Sequence, residues 1–268
     1  MEQGAPEQQL LAGVHFKTKT NIAFPGVSPE SRHKLHMAIA ELGISDVQVV
    51  ESASYSMAMV VRYALGLSAA GGRVCALIGN SLSGRVAAAT LRHLVNAGAE
   101  GIVVSVTPRE LLDRDLSHEV DILQKMGVNF EFCTSAAKGS ITQQIIEKSH
   151  NVICGLFEGV AGVAFADELV SLLNDHQTPI HVIEAPLGLD LMTGAKLNPL
   201  FASSTLSLGV PLLALSSGSD CVGRHYLCDI AATAAVYKES GSANLTSLFS
   251  EQPVLQIEAL TQSEPEVS

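Results

Sequence analysis

Hydrophobic and polar positions alternate along this chain with two periods. Short apolar runs at 74–78, 102–106, 128–132, 151–157 and 180–184 read as strands. Between them, amphipathic runs with helical spacing close on turn residues: an Ala-rich one ending at Gly98, then 108–126, 140–148 and 163–176. Strands alternating with helices through short turns predict right-handed crossovers and a mainly parallel sheet with helices on both faces, so the fold class is α/β, doubly wound. Two helices precede this rhythm. Ser28-Pro29 opens the first, with Leu35, Met37, Ile39 and Leu42 as its apolar positions and Gly43 as its stop. The second, 49–70, ends at Gly71-Gly72, and its Met57 and Met59 read as core filler. After Asn198 the pattern gives strands at 204–208 and 224–228 and a helix at 231–239. Residues 1–24 form a polar lead-in without a period. Residues 25–240 read as one domain, with no internal repeat or linker, and 241–268 as a mostly polar tail whose apolar patch, 254–260, is suited to pack on the domain or on a partner.

Composition narrows the function classes. The chain has 268 residues, 47% of them hydrophobic, and a mean hydropathy of +0.29, enough for a full core and incompatible with global disorder. A net charge of −11 disfavours nucleic acid as a partner, because sequence-independent affinity for it comes from clustered Lys and Arg. Cys75, Cys133, Cys154, Cys221 and Cys228 lie far apart without a CxxC pair, so they read as buried thiols in a reducing compartment. No basic-then-apolar leader opens the sequence, and Arg62 interrupts the most apolar early helix, so the expectation is a cytoplasmic protein with no membrane partner.

Candidate chemistry gathers where strands end. Between the run at 74–78 and its helix lies Gly79-Asn80-Ser81-Leu82-Ser83-Gly84, followed by Arg85. A strand-to-helix turn of this kind points free N–H groups and the positive end of the helix dipole at an anion, which suits phosphate. Small residues also build such turns with no ligand. Loops at 107–109, 158–162 (with Glu158 and Gly159) and 184–193 (with Glu184, Gly188 and Asp190) lie at the same carboxyl ends, where ligands of doubly wound sheets bind. Glu184 drops directly off a buried apolar strand, the setting that raises a carboxyl pKa for general acid/base work, with Asp190 as a second carboxylate. The alternative for both is a loop stabiliser or helix cap. His33 and His36 share a helical face but have no third ligand nearby, so a solvated face is the expectation there.

The order GNSLSGRVAAATLRHL, NVICGLFEGVAG, HVIEAPLGLDLMTG, LSLGVPLLAL and VGRHYLCDIA resembles the YjeF N-terminal domain family over roughly 28–239. That family holds NAD(P)H-hydrate epimerases and the carboxy-terminal domain of the enhancer-of-decapping protein three. The resemblance implies a Rossmann-like sheet, often in a homodimer, with NAD(P)H hydrate or another adenine nucleotide as ligand. It carries Glu184 onto the catalytic aspartate, Asp190 onto a supporting carboxylate, and Gly79, Asn80, Ser81, Ser83, Gly84, Arg85, Glu158, Gly159 and Gly188 onto the ligand-binding loops. It also implies a potassium ion near Asn80.

The enzyme's motifs are altered one by one. GNNGGDG has become a loop with Leu82 and Ser83 and no acid; Cys154 stands where an aspartate helps hold the cation, and a thiol is a poor ligand for a hard ion. Leu187 replaces the serine of DIPSGLD, and Leu212 the lysine of GAPK. The expectation is therefore a catalytically degenerate nucleotide-binding or dimerising scaffold. The alternatives are an active epimerase, an isomerase with Glu184 as acid/base and Arg85 supplying the missing positive charge, and a decapping-type RNA or protein scaffold.

Overall fold

A computed structural model describes residues 13–68, 70–160, 163–239, 248–250 and 252–260. The first twelve residues of the expected lead-in, and 241–247, 251 and 261–268 of the expected tail, lie outside them. The chain enters its sheet earlier than its polar character suggests: β1 (Phe16–Thr18) and β2 (Ala23–Phe24) form a hairpin. Phe16 is the reason, because its ring is fully buried, stacked on Phe24 and edge-on to His225.

Helix α1 (Pro29–Glu41) starts as predicted, with the Ser28 hydroxyl accepting from the Ser31 amide. Helix α2 (Asp46–Met59) begins before the predicted 49, because Ser45 and Gln48 form a capping box, and it loosens into a π turn, Val60–Ala64, well short of residue 70. Then come β3 (Arg73–Ile78), α3 (Leu82–Asn96), β4 (Glu100–Ser105) and α4 (Arg114–Lys125). The predicted helix at 108–126 is split, since Asp113 accepts from the Asp115 and Leu116 amides and so caps α4 there, leaving Arg109–Leu111 as a separate 3₁₀ turn. The succession closes with β5 (Asn129–Phe132), α5 (Ile141–Lys148), β6 (Asn151–Gly155), α6 (Ala166–Asp175), β7 (Ile180–Ile183), β8 (Ser204–Leu208), the one-turn α7 (Ala214–Ser217) and α8 (Ser219–Val222), β9 (Arg224–Cys228), α9 (Ala234–Glu239) and β10 (Val254–Ala259).

Among the described residues the strands form one sheet in the order β2-β1-β10-β9-β8-β7-β6-β3-β4-β5. From β9 to β5 every pairing is parallel, giving the Rossmann-like α/β sheet; β10, β1 and β2 extend it antiparallel. The apolar patch of the tail is thus sheet rather than appendage, and the described parts of both chain ends belong to the domain. Strands buried on both faces read as unbroken apolar runs, which is why β3, β6 and β7 were legible. One core layer joins Val74, Ala76 and Ile78 to α1, α2, α3 and α4; the other joins Cys75, Leu77 and Cys154 to α5 and α6. All five cysteines are free and buried.

Candidate functional site at the carboxyl ends of the strands

Strand order reverses between β3 and β6, so the loops leaving these two neighbours face each other at the switch point. In this chain they touch. A Cβ on Gly79 would collide with the Gly159 carbonyl, and Gly155 meets the backbone of Ser83 just as closely. Glycine at 79 therefore serves backbone-on-backbone contact between two loops. The hydroxyls are used within this contact: Ser81 Oγ accepts from the Gly84 amide at 3.1 Å, and the buried Ser83 hydroxyl donates to the Phe157 carbonyl at 2.8 Å.

Asn80 is turned to a neighbour. Its Nδ2 donates to the Leu111 carbonyl at 2.8 Å, and its Oδ1 accepts from the Asp113 amide at 3.0 Å, which pins the segment before α4. Arg85 leaves the loop altogether and lies among Asp46 (2.9 Å), Asp113 (3.4 Å) and Asp115 (3.8 Å). Arg109, in the loop after β4, bonds Ser117 and Asp121 on α4.

Glu184 stands one residue past β7. Its φ is +73°, unusual for a residue with a side chain, and the residue is fully buried. Its carboxylate is gripped by Arg32 of α1: Nε donates at 3.0 Å and a terminal nitrogen at 2.8 Å, both to Oε1. Among the described residues, Oε2 has only the long contact from the Leu208 amide, 3.5 Å. Complete burial pushes the carboxyl up from its ordinary range, and the guanidinium pulls it back in part. Burial works against the charge of Arg32 as well, but the carboxylates of Glu184 and Glu158 outweigh it and hold the guanidinium protonated. Arg32 also lies over the Phe157 ring, 5.0 Å from its centroid, and reaches Glu158 Oε1 at 3.5 Å. The Glu184 side chain, the Arg32 guanidinium, the Phe157 ring and Glu158 form one connected assembly beside the two packed loops.

The other expected residues lie outside it. Asp190 accepts from the Met192 and Thr193 amides at 2.8 and 3.0 Å, and these bonds, that of Thr193 foremost, hold its carboxyl below the usual range, so it stabilises its own loop. Gly188 has φ +75° and packs against the carbonyls of Leu197 and Asn198, a turn position rather than an open wall. Leu187 packs on the second core layer, and Leu212 is buried in the first.

The residues that would serve a potassium ion do not fit one. The Cys154 thiol is buried in the second core layer and pushed up to about 12 by that burial, and the Asn80 oxygen is engaged by the Asp113 amide. His36 departs from the solvated-face expectation: it is half-buried, its Nε2 lacks a hydrogen-bond partner, and burial moves its pKa down to about 4. His33 is exposed as expected.

Sequence reading missed Arg32 and Phe157. For Arg32 a signal existed, because it shares the inward stripe of α1 with Leu35 and Ile39, spaced three and seven residues on, and a charge on an apolar stripe needs a buried partner. Nothing in the sequence named that partner, 152 positions away.

No curated protein matches the sequence. Among solved structures, yeast ynu0 (YNL200c) superposes with a TM-score of 0.67 at 18% identity, covering 81% of this chain and 93% of that one, a likeness of fold. A dipicolinate synthase chain from Bacillus halodurans (TM-score 0.34, 16% identity, 54% of this chain and 42% of that one) and eIF2B delta from Chaetomium thermophilum (0.32, 13%, 48% and 46%) share less of it. The family described as YjeF-related protein N-terminus matches residues 47–214, from the start of α2 to the first residue of α7, and to that family this chain belongs.

Proposed function

We propose that this chain is a catalytically degenerate member of its family, a scaffold module that keeps the epimerase fold and an anion-binding crevice without turning a substrate over. One observation carries the reading: Glu184, which stands where the family's catalytic aspartate would, is wholly buried, with Arg32 donating both of its short hydrogen bonds. A general acid or base must lie within hydrogen-bond reach of the proton it moves, and here complete burial closes the carboxyl to solvent while the guanidinium occupies Oε1. The used-up hydroxyls of Ser81 and Ser83, the diverted Arg85 and the apolar Leu187 and Leu212 point the same way. As a scaffold it would work as a homodimer and bind an adenine nucleotide in the crevice.

The test is to supply purified protein with each epimer of NADH hydrate and follow their interconversion. The expected rate equals that of buffer alone. A protein-dependent rate that Glu184→Gln removes would overturn this reading in favour of an active NAD(P)H-hydrate epimerase. One feature favours that second reading: the Glu184 carboxyl, displaced upward by burial, has the character of a general acid.

A further inference from the structure

Arg32 has one donor group left over. Nε and one terminal nitrogen are spent on Glu184; the other terminal nitrogen points outward, and its partner is Glu158 Oε1 at 3.5 Å. That is the outer limit for a hydrogen bond and long for one between charged groups. Burial differs sharply across this pair: the Arg32 side chain is 8% exposed and that of Glu158 57%. A buried cation thus meets solvent through a single loosely held carboxylate.

The backbone under that carboxylate is strained. Glu158 has φ +58°, a conformation that costs a non-glycine residue energy and persists only where surroundings enforce it. The next residue, Gly159, is locked against Gly79, which sets Glu158 beside the turn into α3, a fifteen-residue helix whose first N–H groups and dipole favour negative charge.

We propose that the outward edge of Arg32 is an oxyanion seat, held in the resting chain by the chain's own Glu158, and that a phosphate group displaces that carboxylate. This rests on the scaffold reading, in which the crevice binds without catalysis. Each terminal nitrogen carries two N–H groups, so the outer nitrogen and the second N–H of the one that serves Glu184 form an edge that can pair with phosphate through two parallel bonds, whereas Glu158 offers one oxygen at the edge of reach. Phosphate also carries the larger charge, and so gains more from the neighbouring helix start. Displacement needs Glu158 only to swing into solvent, where most of its side chain already lies. Glu184 keeps its two bonds throughout, so the buried pair is not broken.

The experiment is calorimetric titration of inorganic phosphate, and separately AMP, at constant ionic strength. Glu158→Gln removes the competing charge and is expected to bind phosphate about tenfold more tightly than the unaltered chain, the lower end of what one like charge at this range does. Glu100→Gln takes the same charge from the opposite end of the parallel strands and is expected to change nothing. Adding Arg32→Met together with Glu184→Met to the Glu158→Gln chain removes the guanidinium without stranding a buried charge, and the gain is expected to vanish. Equal phosphate affinity in Glu158→Gln and the unaltered chain, or an equal gain in Glu100→Gln, overturns the seat. So does tight phosphate binding that survives loss of Arg32. AMP binding more tightly than phosphate assigns the seat to a nucleotide, and equal binding assigns it to phosphate alone. Hydrate turnover by the unaltered chain would end the scaffold reading while leaving these affinities to decide the seat.

Discussion

Two polar side chains on or beside β7 are buried, and they are buried differently. Near the strand's start, His181 bonds Asn151 Oδ1 at 2.7 Å and Ser204 Oγ at 2.9 Å, partners supplied by the flanking strands β6 and β8. At its exit, Glu184 draws its partner from α1, across the sheet's carboxyl end. Burial moves the His181 pKa down to about 4, so the imidazole is neutral and its network closes within the sheet. Glu184 instead pairs with the Arg32 guanidinium beyond the reach of bulk solvent. A neutral network satisfied by neighbouring strands is structural glue; a buried ion pair gives little net stability and is costly to break. Along β7, then, the buried charge lies at the carboxyl end and the neutral imidazole near the amino end.

The sharpest way to break this contrast is to remove one member of the pair. Arg32→Leu is expected to cost about 3–5 kcal/mol, because it strands the Glu184 carboxylate. Arg32→Met with Glu184→Met together should fall within about 1 kcal/mol of the unaltered chain or exceed it. Urea unfolding of the three proteins measures both. If the double change proves as damaging as the single one, the pair contributes through packing and not through charge.

Acid titration probes the neutral network. A histidine whose folded pKa is depressed takes up its proton more readily when unfolded, so stability falls as pH drops below the unfolded value of about 6.5 and levels off near the folded one. For His181, with a folded value of about 4, the loss at pH 5 relative to pH 7 is expected to be about 2 kcal/mol. His225, bonded to Ser207 and moved down to about 3, adds a similar amount. Replacing His181 by Asn should flatten this slope while lowering stability at neutral pH. An unchanged slope would mean that the imidazole binds its proton equally in the folded and the unfolded chain.

The parallel core was legible because strands covered on both faces leave continuous apolar runs, and 204–208 and 224–228 match β8 and β9 residue for residue. The antiparallel edge was not. Phe16–Thr18 and Ala23–Phe24 are too short for a period to show, and Val254–Ala259 carries Gln256 and Glu258 among its apolar residues; the pairing of Phe16–Thr18 with Val254–Ala259, across more than 200 positions, ties the hairpin into the sheet. At the site, Glu184 could be picked out as a carboxylate leaving a buried strand, yet its burial depends on α1, which sequence spacing does not place. Asn80, Ser83 and Arg85 had the right types for a phosphate loop; their hydrogen bonds to Leu111, Phe157 and Asp46 are long-range facts.

Asn80 extends the neutral side of the comparison to the loop. Asn80→Ala removes the acceptor of the Asp113 amide and the donor to Leu111, both exposed and open to replacement by water, so the expected loss is about 1 kcal/mol. Faster amide exchange at Asp113, read by NMR, would accompany it. Protection unchanged at that amide would mean that the tether does not order the start of α4.

Arg85 gives the smallest effect and a control for a cation whose partner carboxylates stay exposed. Among the described residues it has as many carboxylates within reach as any cation, Asp46, Asp113 and Asp115, and its side chain is 19% exposed, against 8% for Arg32. Its partners lie 32–63% exposed, so water and salt screen each pair, and exposed pairs are worth about 0–1 kcal/mol. Arg85→Met should therefore cost about 0.5 kcal/mol in low salt, mostly from repulsion among the three acids left behind, and almost nothing at 1 M salt. The loss caused by Arg32→Leu should persist at that salt, because ions do not enter where Glu184 sits. A large, salt-independent cost for Arg85→Met would place Arg85 with Arg32 among the buried charges and remove burial as the variable that separates the two ends of β7.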